Sequence, residues 1–498
     1  MQKKKNSRSP DWFNKLRQIL ASERTVKLLL LFLIVLFIGY FTYDSFLRHD
    51  NFFSLRLDLG NMDQTVWNVL HGNGFTLTDP MGTAQESRLA VHADFLLILL
   101  APFYLIWSNP KMLLIIQAVA LACGAVPIYW LAKKVLKRNW IALLFSTAYL
   151  LYPTIQMNTL HDFHATSLTT TFLLFAYWYF VVENPVAFSI FIVLAALGKE
   201  QFWVISAMLG ICWFFKPKFK AFGAAVFAVS SVMFYLLFWK FIPAVTPSKQ
   251  YWALEYLSDY GGSINEILKN ILKHPWQAFV SAFAPDRLHY YYQLLVPTAF
   301  LSLLSPWTMI FALPNLGINA LSNNQLMRMI DYQYTSGITP WVFVSSIYGF
   351  AVAESTLRTK TFVKKNSWKI LSVIAGVCIL GSVYYWGELP YGARSRFWFF
   401  HTVQPEKAAM KQVAVNIPSR YSVSVTNNIG AHFSEREFLY NYPINATNAD
   451  YVVVLLGDQY AWPSGDEQQR VLQSLLFDKN YQLVAQSGLF FAFKRQTL

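Results

Sequence analysis

The chain has 498 residues, of which 55% are hydrophobic, 17% aromatic and only 14% charged. A soluble domain carries about a quarter charged residues, and here the apolar residues come in runs of roughly twenty, the span of a bilayer core, so a soluble globular protein is excluded. The formal charge of +14, from 41 basic and 27 acidic residues, clusters in short linkers between apolar runs; membrane topology accounts for it, and no nucleic-acid partner is expected.

Residues 1–25 are basic and polar and read as a cytoplasmic tail. The apolar segment 26–46 is too long for a signal-peptide core and lacks an A-x-A site, so it is expected to stay as the first transmembrane helix. Further apolar segments fall near 91–107, 111–132, 140–153, 166–183, 186–198, 201–215, 221–241, 291–305, 307–322, 338–356 and 370–387. The basic linkers Lys133 to Arg138, Lys216 to Lys220 and Arg358 to Lys369 belong inside. That parity holds if 91–107, which opens on His92 and Asp94 and contains Pro102, is re-entrant or interfacial; otherwise Lys133 to Arg138 breaks the rule. The expected membrane domain, 26–388, then has about eleven crossings, external loops at 47–90 and 242–290, and an extracytoplasmic C-terminus. Segments 186–198 and 201–215 are short, with Lys199 and Glu200 between them, as in a tilted pair or a broken helix lining a cavity.

From residue 389 the composition changes. "YSVSVT" and "YVVVLL" read as buried strands, "PEKAAMKQVAVNI" and "DEQQRVLQSLL" as amphipathic helices, and "YQLVAQ" and "LFFAFK" as closing strands. A small α/β domain over 389–498 follows, without GxGxxG or a P-loop. Cys123, Cys212 and Cys378 lie far apart in apolar runs, with no CxxC and no disulfide framework.

The candidate chemistry lies in the predicted external segments. In "RLDLGNMDQTVWNVLHG", Asp58 and Asp63 follow the first apolar run. One reading is a capped interfacial helix with Trp67 at headgroup level. The other is a carboxylate placed at a lipid phosphate, as general base or as ligand of a divalent cation such as Mg or Mn. Gln64, beside Asp63, and His92 join the substrate-binding candidates. "HDFHAT" places His161 and His164 three apart, as a metal pair with Asp58 or as a polar helix start. Lys199 could grip a phosphate as a point charge, with Glu200 catalytic; alternatively the two are a local ion pair that eases insertion. "PDRLHYYYQLLVP" offers Arg287 and His289 to a sugar or phosphate, and equally to an interfacial belt, and Arg328 and Asp331 are similarly ambiguous. There is no GxSxG, HExxH, Walker sequence or ion-filter motif.

The segments "RLDLGNMDQTVWNVLHG", "VHADFLLILLAPFYLIW", "LLIIQAVALACGAVPIYWLAKKVL", "HDFHAT", "ALGKEQ" and "VTNNIGAHFSEREFLYNYP" followed by "ADYVVVLL" closely resemble, in order and over nearly the whole chain, a bacterial and archaeal family of multi-pass membrane proteins known as DUF2079. Gln201 stands where the family usually has an acid, and Asp94 where it often has proline. The family is distantly similar to the C-type glycosyltransferases (GT-C). That resemblance implies a polytopic GT-C-like fold and inverting transfer of a sugar from a polyprenyl-phosphate donor to an extracytoplasmic glycan or glycolipid of the cell envelope. Asp58 would match the first-loop acid, and His92 to Pro102 the element after it. The rival expectations are a lipid-linked-sugar transporter and a non-enzymatic scaffold.

Overall fold

The computed structural model describes residues 22–246, 251–358, 366–459 and 461–496. The basic tail over 1–21 and most of the linker after Arg358 lie outside them. Helix α1 (Glu23–Asp50) starts where the Ser22 hydroxyl accepts the Thr25 N–H at 3.1 Å. One stripe of it, Val26, Leu30, Ile34, Phe37 and Phe41, is buried, while Leu28, Leu31, Phe32 and Val35 are exposed. A helix that is apolar on both its packed and its open faces is one whose open face meets lipid.

A π-turn over Arg56–Gly60, closed by the Gly60 N–H on the Leu55 carbonyl at 3.0 Å, leads into α2 (Asn61–Leu70). A two-stranded ribbon follows, β1 (Thr76–Thr78) antiparallel to β2 (Gln85–Ser87). The expected re-entrant stretch is a short α-turn, Leu96–Leu100, running into a 3-10 turn, Ala101–Leu105. Ten residues rise about 15–20 Å, roughly half a bilayer core. The bundle continues with α3 (Pro110–Cys123), α4 (Ala125–Leu136), α5 (Asn139–Leu151), α6 (Pro153–Leu160) and α7 (Ala165–Val181). The α5–α6 pair bends by 44° at Pro153, which cannot donate to the preceding turn.

The pair α8 (Pro185–Ala196) and α9 (Phe202–Phe214) is broken at Leu197–Gln201. Each has about 18–20 Å of rise, short of a full crossing. Gly198 allows the close approach of α7 there: a Cβ would lie 2.2 Å from the Thr169 hydroxyl. Next come α10 (Lys220–Leu236), α11 (Ile264–Lys273), α12 (Pro275–Ala282) and α13 (Pro285–Leu295). The apolar region after α13, expected as two spans, is cut into short α and 3-10 pieces around Pro297, Pro306 and Pro314. Helices α14 (Thr339–Leu357) and α15 (Ser367–Trp386) complete the bundle. Among the described residues four helices are long and apolar enough to cross a membrane, or five if the bent pair is one span. The other apolar segments fold as shorter or broken helices, so by length alone they do not reach the count expected from hydropathy.

The C-terminal domain contains α16 (Lys407–Asn416), β3 (Val423–Val425), β4 (Leu439–Asn441), β5 (Tyr451–Leu455), α17 (Gly465–Phe477), β6 (Tyr481–Ser487) and β7 (Phe490–Arg495). The sheet order is β4-β3-β5-β7-β6, with β3 parallel to β4 and β5 and the last two strands antiparallel. Val423, Val425, Val453 and Leu455 pack under α16, and Val452 and Val454 under α17. The four strands expected from the sequence are present. The three-residue β4 is an addition.

Candidate functional site

The π-turn is held from two sides. Its backbone docks on the loop after β3, where the Arg56 N–H donates to the Asn427 carbonyl at 2.9 Å and the Leu57 N–H to Asn427 Oδ1 at 2.9 Å. Arg56 is fully buried and donates to the carbonyls of Leu439, at 3.4 Å, and Pro80. Gly430 makes room for it: a Cβ there would meet the Arg56 Cβ at 2.5 Å. From the membrane domain, Asp162 accepts the Leu55 N–H at 2.9 Å while pairing with Arg48 on the last turns of α1. Both partners are buried, a pair that costs about 3–5 kcal/mol to break from one side. Asp162 is therefore a clamp that fixes where Asp58 sits.

Asp58 itself keeps a side chain 28% exposed and faces both histidines of "HDFHAT". Its Oδ1 lies 3.2 Å from His164 Nε2, and its Oδ2 lies 3.9 Å from His161 Nε2. The two imidazoles are parallel within 6°, with centroids 5.6 Å apart, and Tyr332 meets His161 edge-on. His164 Nδ1 lies 2.9 Å from the Asp162 carbonyl, which can only accept, so Nδ1 carries a proton. Asp58 and His164 are in close contact at the edge of the fold. Burial pushes the Asp58 carboxyl up, but the His164 hydrogen bond and the two imidazoles outweigh it and hold the group below its ordinary value. His161 goes the other way. Its burial outweighs the Asp58 charge, so it stays neutral well below the usual histidine range.

A second cluster gathers at the break between α8 and α9. Glu200 is buried and fully engaged: it accepts the Ala93 N–H at 3.0 Å and the Tyr251 hydroxyl, and lies 3.3 Å from His92 Nδ1. His92 Nδ1 is also 2.7 Å from the Tyr251 hydroxyl, and the Leu96 N–H donates to the Leu197 carbonyl at 3.0 Å. These bonds tie the short Leu96–Leu105 stretch to the break. The ammonium of Lys199, by contrast, has no hydrogen bond or ion pair among the described residues, and burial lowers its pKa. It borders a largely apolar cavity of about 340 Å³, lined also by Phe234, Phe238, Ile267 and Tyr334. Tyr334 also lies close enough to Asp58 to feel its charge. Tyr334 thus links the cavity lined by Lys199 to the Asp58 cluster.

The structure places the sequence candidates in three groups. Asp58, His161 and His164 converge; His92, Lys199 and Glu200 converge. The remaining four stand elsewhere. Asp63 is buried under the C-terminal domain, bonded to the Tyr104 hydroxyl and, at 2.6 Å, to that of Ser434. Burial, then the nearby Glu435, push its pKa well up. Gln64 spends its amide on Thr78 and the carbonyls of Arg436 and Glu437, at 2.9–3.1 Å, joining α2 to the C-terminal domain. Arg287 is bound to Asp286 at 2.7 Å, and His289 is exposed beside Tyr292; neither lines the cavity.

Sequence reasoning missed Arg48, Arg396, Tyr251 and the tyrosines Tyr332 and Tyr334. Arg48 and Arg396 both lie near enough to His161 to oppose its protonation, and Arg396 is held by the buried Glu388 at 2.6 Å. Arg48 carried a signal, since a charge at the end of an apolar helix marks a functional position. The described residues hold no group of three or more His, Cys, Asp or Glu side chains arranged to bind a metal ion. Asp58, His161 and His164 nonetheless stand together, with Asp58 3.2 Å from His164 Nε2 and 3.9 Å from His161 Nε2.

The family described as Predicted membrane protein (DUF2079) matches residues 48–489, and the chain belongs to that family. No curated protein matches. The fold is similar to the crystal structure of ArnT from Cupriavidus metallidurans bound to undecaprenyl phosphate, with a TM-score of 0.50 and 10% identity, covering 92% of this chain and 97% of that one. Its apo crystal structure gives a TM-score of 0.48 at the same identity and coverage. The likeness to ArnT is one of fold and extends over nearly the whole of both chains.

Proposed function

We propose that this protein is an inverting membrane glycosyltransferase that moves a sugar from a polyprenyl-phosphate donor to an extracytoplasmic acceptor glycan, with its N-terminus in the cytoplasm and its C-terminal domain outside. The observation that carries the reading is the pairing of two features at one end of the bundle. One is a partly exposed carboxylate clamped between two imidazoles. The other is a lysine with no hydrogen bond or ion pair among the described residues, in the lining of an apolar cavity. A polyprenyl chain needs apolar walls, and its phosphate needs a cation at their edge. The similarly folded ArnT is seen bound to a lipid of that kind.

In the proposed reaction an acceptor hydroxyl attacks the anomeric carbon. The new carbon–oxygen bond forms as the bond to the donor phosphate breaks, and the electron pair leaves on the phosphate oxygen. Asp58 takes the hydroxyl proton. Its depressed pKa keeps it ionised for that task. Lys199 stabilises the charge that develops on the departing phosphate, in a setting poor in competing water. Glu200 and His92 position Lys199 and the re-entrant stretch without touching the reacting atoms.

Native mass spectrometry of the purified full-length protein tests the donor side. A polyprenyl phosphate adduct is expected on the wild type and is expected to be lost or greatly reduced in Lys199→Gln. Equal adduct on both proteins removes Lys199 from the donor site. Adduct without any transfer in cells would favour the transport of a lipid-linked sugar.

A further inference from the structure

We propose that the cleft between the C-terminal domain and the membrane domain is a binding site for an anionic glycan. It rests on the transferase reading only in identifying that glycan as the acceptor. The cleft has a volume of about 690 Å³, within the ordinary range of ligand pockets. It is separate from the cavity that holds Lys199: no residue lines both.

One wall comes from the end of α1 and the start of α3. The other comes from α16 and the loop after β3. Four cations line it, Lys111, Lys407, Lys411 and Arg436, against two carboxylates, Asp50 and Glu435. The acids are already occupied. Asp50 pairs with Lys111 at 2.6 Å, and Glu435 accepts the Ser108 hydroxyl at 2.6 Å. Arg436 spends its guanidinium on the carbonyls of Phe433 and Tyr421, at 2.5 and 2.8 Å. Lys407 reaches only a neutral partner, Asn51 Oδ1, at 2.7 Å, and Lys411 has no ion pair among the described residues. The two lysines stand four apart on α16, so they share a face. The cleft carries an uncompensated positive charge on the C-terminal domain side.

The back of the cleft is aromatic. His49 stacks on His432 with centroids 4.0 Å apart, and His432 on Phe52 at 3.9 Å. His432 Nε2 lies 2.9 Å from the His49 carbonyl. His49 Nδ1, on a residue only 4% exposed, has no hydrogen-bond partner. Trp67 adds a partly exposed indole. Cations for the charge and an aromatic surface for the sugar face suit a carboxylated or phosphorylated saccharide. A phospholipid headgroup would share the anion contact but has no use for the rest. The lysines that carry the excess charge also stand on the C-terminal domain and not on a lipid-facing helix.

The test is calorimetric titration of the full-length protein in phosphatidylcholine nanodiscs with trigalacturonate, and with maltotriose as its uncharged counterpart. Trigalacturonate is expected to bind at least tenfold tighter than maltotriose, more weakly as salt rises, and at least tenfold more weakly to Lys411→Glu and to Lys407→Gln. Lys411 is exposed, and two variants at separate positions guard against a local folding defect. Equal binding of the two sugars, or binding unchanged in both variants, overturns the proposal. So does loss of trigalacturonate binding when phosphatidylglycerol replaces part of the phosphatidylcholine, which would make the cleft a lipid headgroup site. Binding is read without turnover, so a failed cleft and a failed transferase give different results.

Discussion

Replacing Glu200 by Gln separates a structural carboxylate from a chemical one. In the wild type Glu200 receives the Ala93 N–H at 3.0 Å and the Tyr251 hydroxyl, and faces His92 at 3.3 Å, from a site that is 1% exposed. Burial favours the neutral acid, yet His92, Lys199 and Tyr251 together hold the carboxyl far below its ordinary value. Gln keeps the shape and the acceptor for Ala93. It loses the charge, and its amide hydrogens meet a hydroxyl and an imidazole already arranged to serve an acceptor. A hydrogen bond to a charged group contributes about 1.5–3 kcal/mol, so losing the charge-assisted part of two such bonds costs about 2–4 kcal/mol. The sign with pH follows from the depressed value: the Glu200 contribution is complete above the ordinary carboxylate range and is lost as pH falls toward the folded value. Thermal unfolding in nanodiscs at pH 7 should show a midpoint several degrees lower for Glu200→Gln, with the difference narrowing in acid. Adduct with polyprenyl phosphate should weaken but survive, because Lys199 remains. An unchanged midpoint together with complete loss of transfer would refute the structural role and return Glu200 to the chemistry.

Three further outcomes follow from the same geometry. Asp63→Asn should leave transfer within a few-fold of wild type and change stability by about 1 kcal/mol or less, because a protonated buried acid and its amide differ little; unfolding and envelope sugar analysis check both. Gly430→Ala should lower both stability and transfer, since its Cβ would sit 2.5 Å from that of Arg56 and displace the turn that carries Asp58; a fully active, fully stable variant contradicts the docking role of the loop. His432, held down to about 4 chiefly by burial, takes up a proton in the unfolded chain before the folded one. Stability should therefore fall as pH drops from 6.5 toward 4, by up to about 2 kcal/mol given its partial exposure, and His432→Phe should flatten that slope in a pH series of unfolding midpoints.

Much of the site was legible because its residues are chemically conspicuous where they stand. Two imidazoles three apart and an acid after the first apolar run point outward from a greasy sequence, and the fold brings Asp58, His161 and His164 together. What separates Asp58 from Asp63 was not legible. The π-turn leaves Asp58 facing the histidines, whereas Asp63 is covered by Tyr104 and by Ser434, some 370 residues on. The partners of Gln64 were equally hidden, since they lie on β1 and in the C-terminal domain. Arg287 looked like a free cation, but its neighbour Asp286 holds it, with Arg328, at 2.7–2.8 Å. In the fold, alternation and apolar runs announced β3, β5, β6 and β7. The three-residue β4 exists only because β3 offers it a parallel edge. Hydropathy marked the apolar segments but not their lengths as helices. Those were set by Pro153, Pro297, Pro306 and Pro314, and by the Gly198 approach that accompanies the broken pair.

The central claim, that Asp58 is the base of a sugar transfer, is tested most directly in the cell envelope. Sugar composition should be compared in cells with the wild-type protein, without it, and with Asp58→Asn at equal membrane abundance. General-base catalysis contributes about 10²–10⁴-fold, so one envelope sugar should vanish in the null and stay absent, or nearly so, in Asp58→Asn. A sugar lost in the null but restored in full by Asp58→Asn would contradict the account.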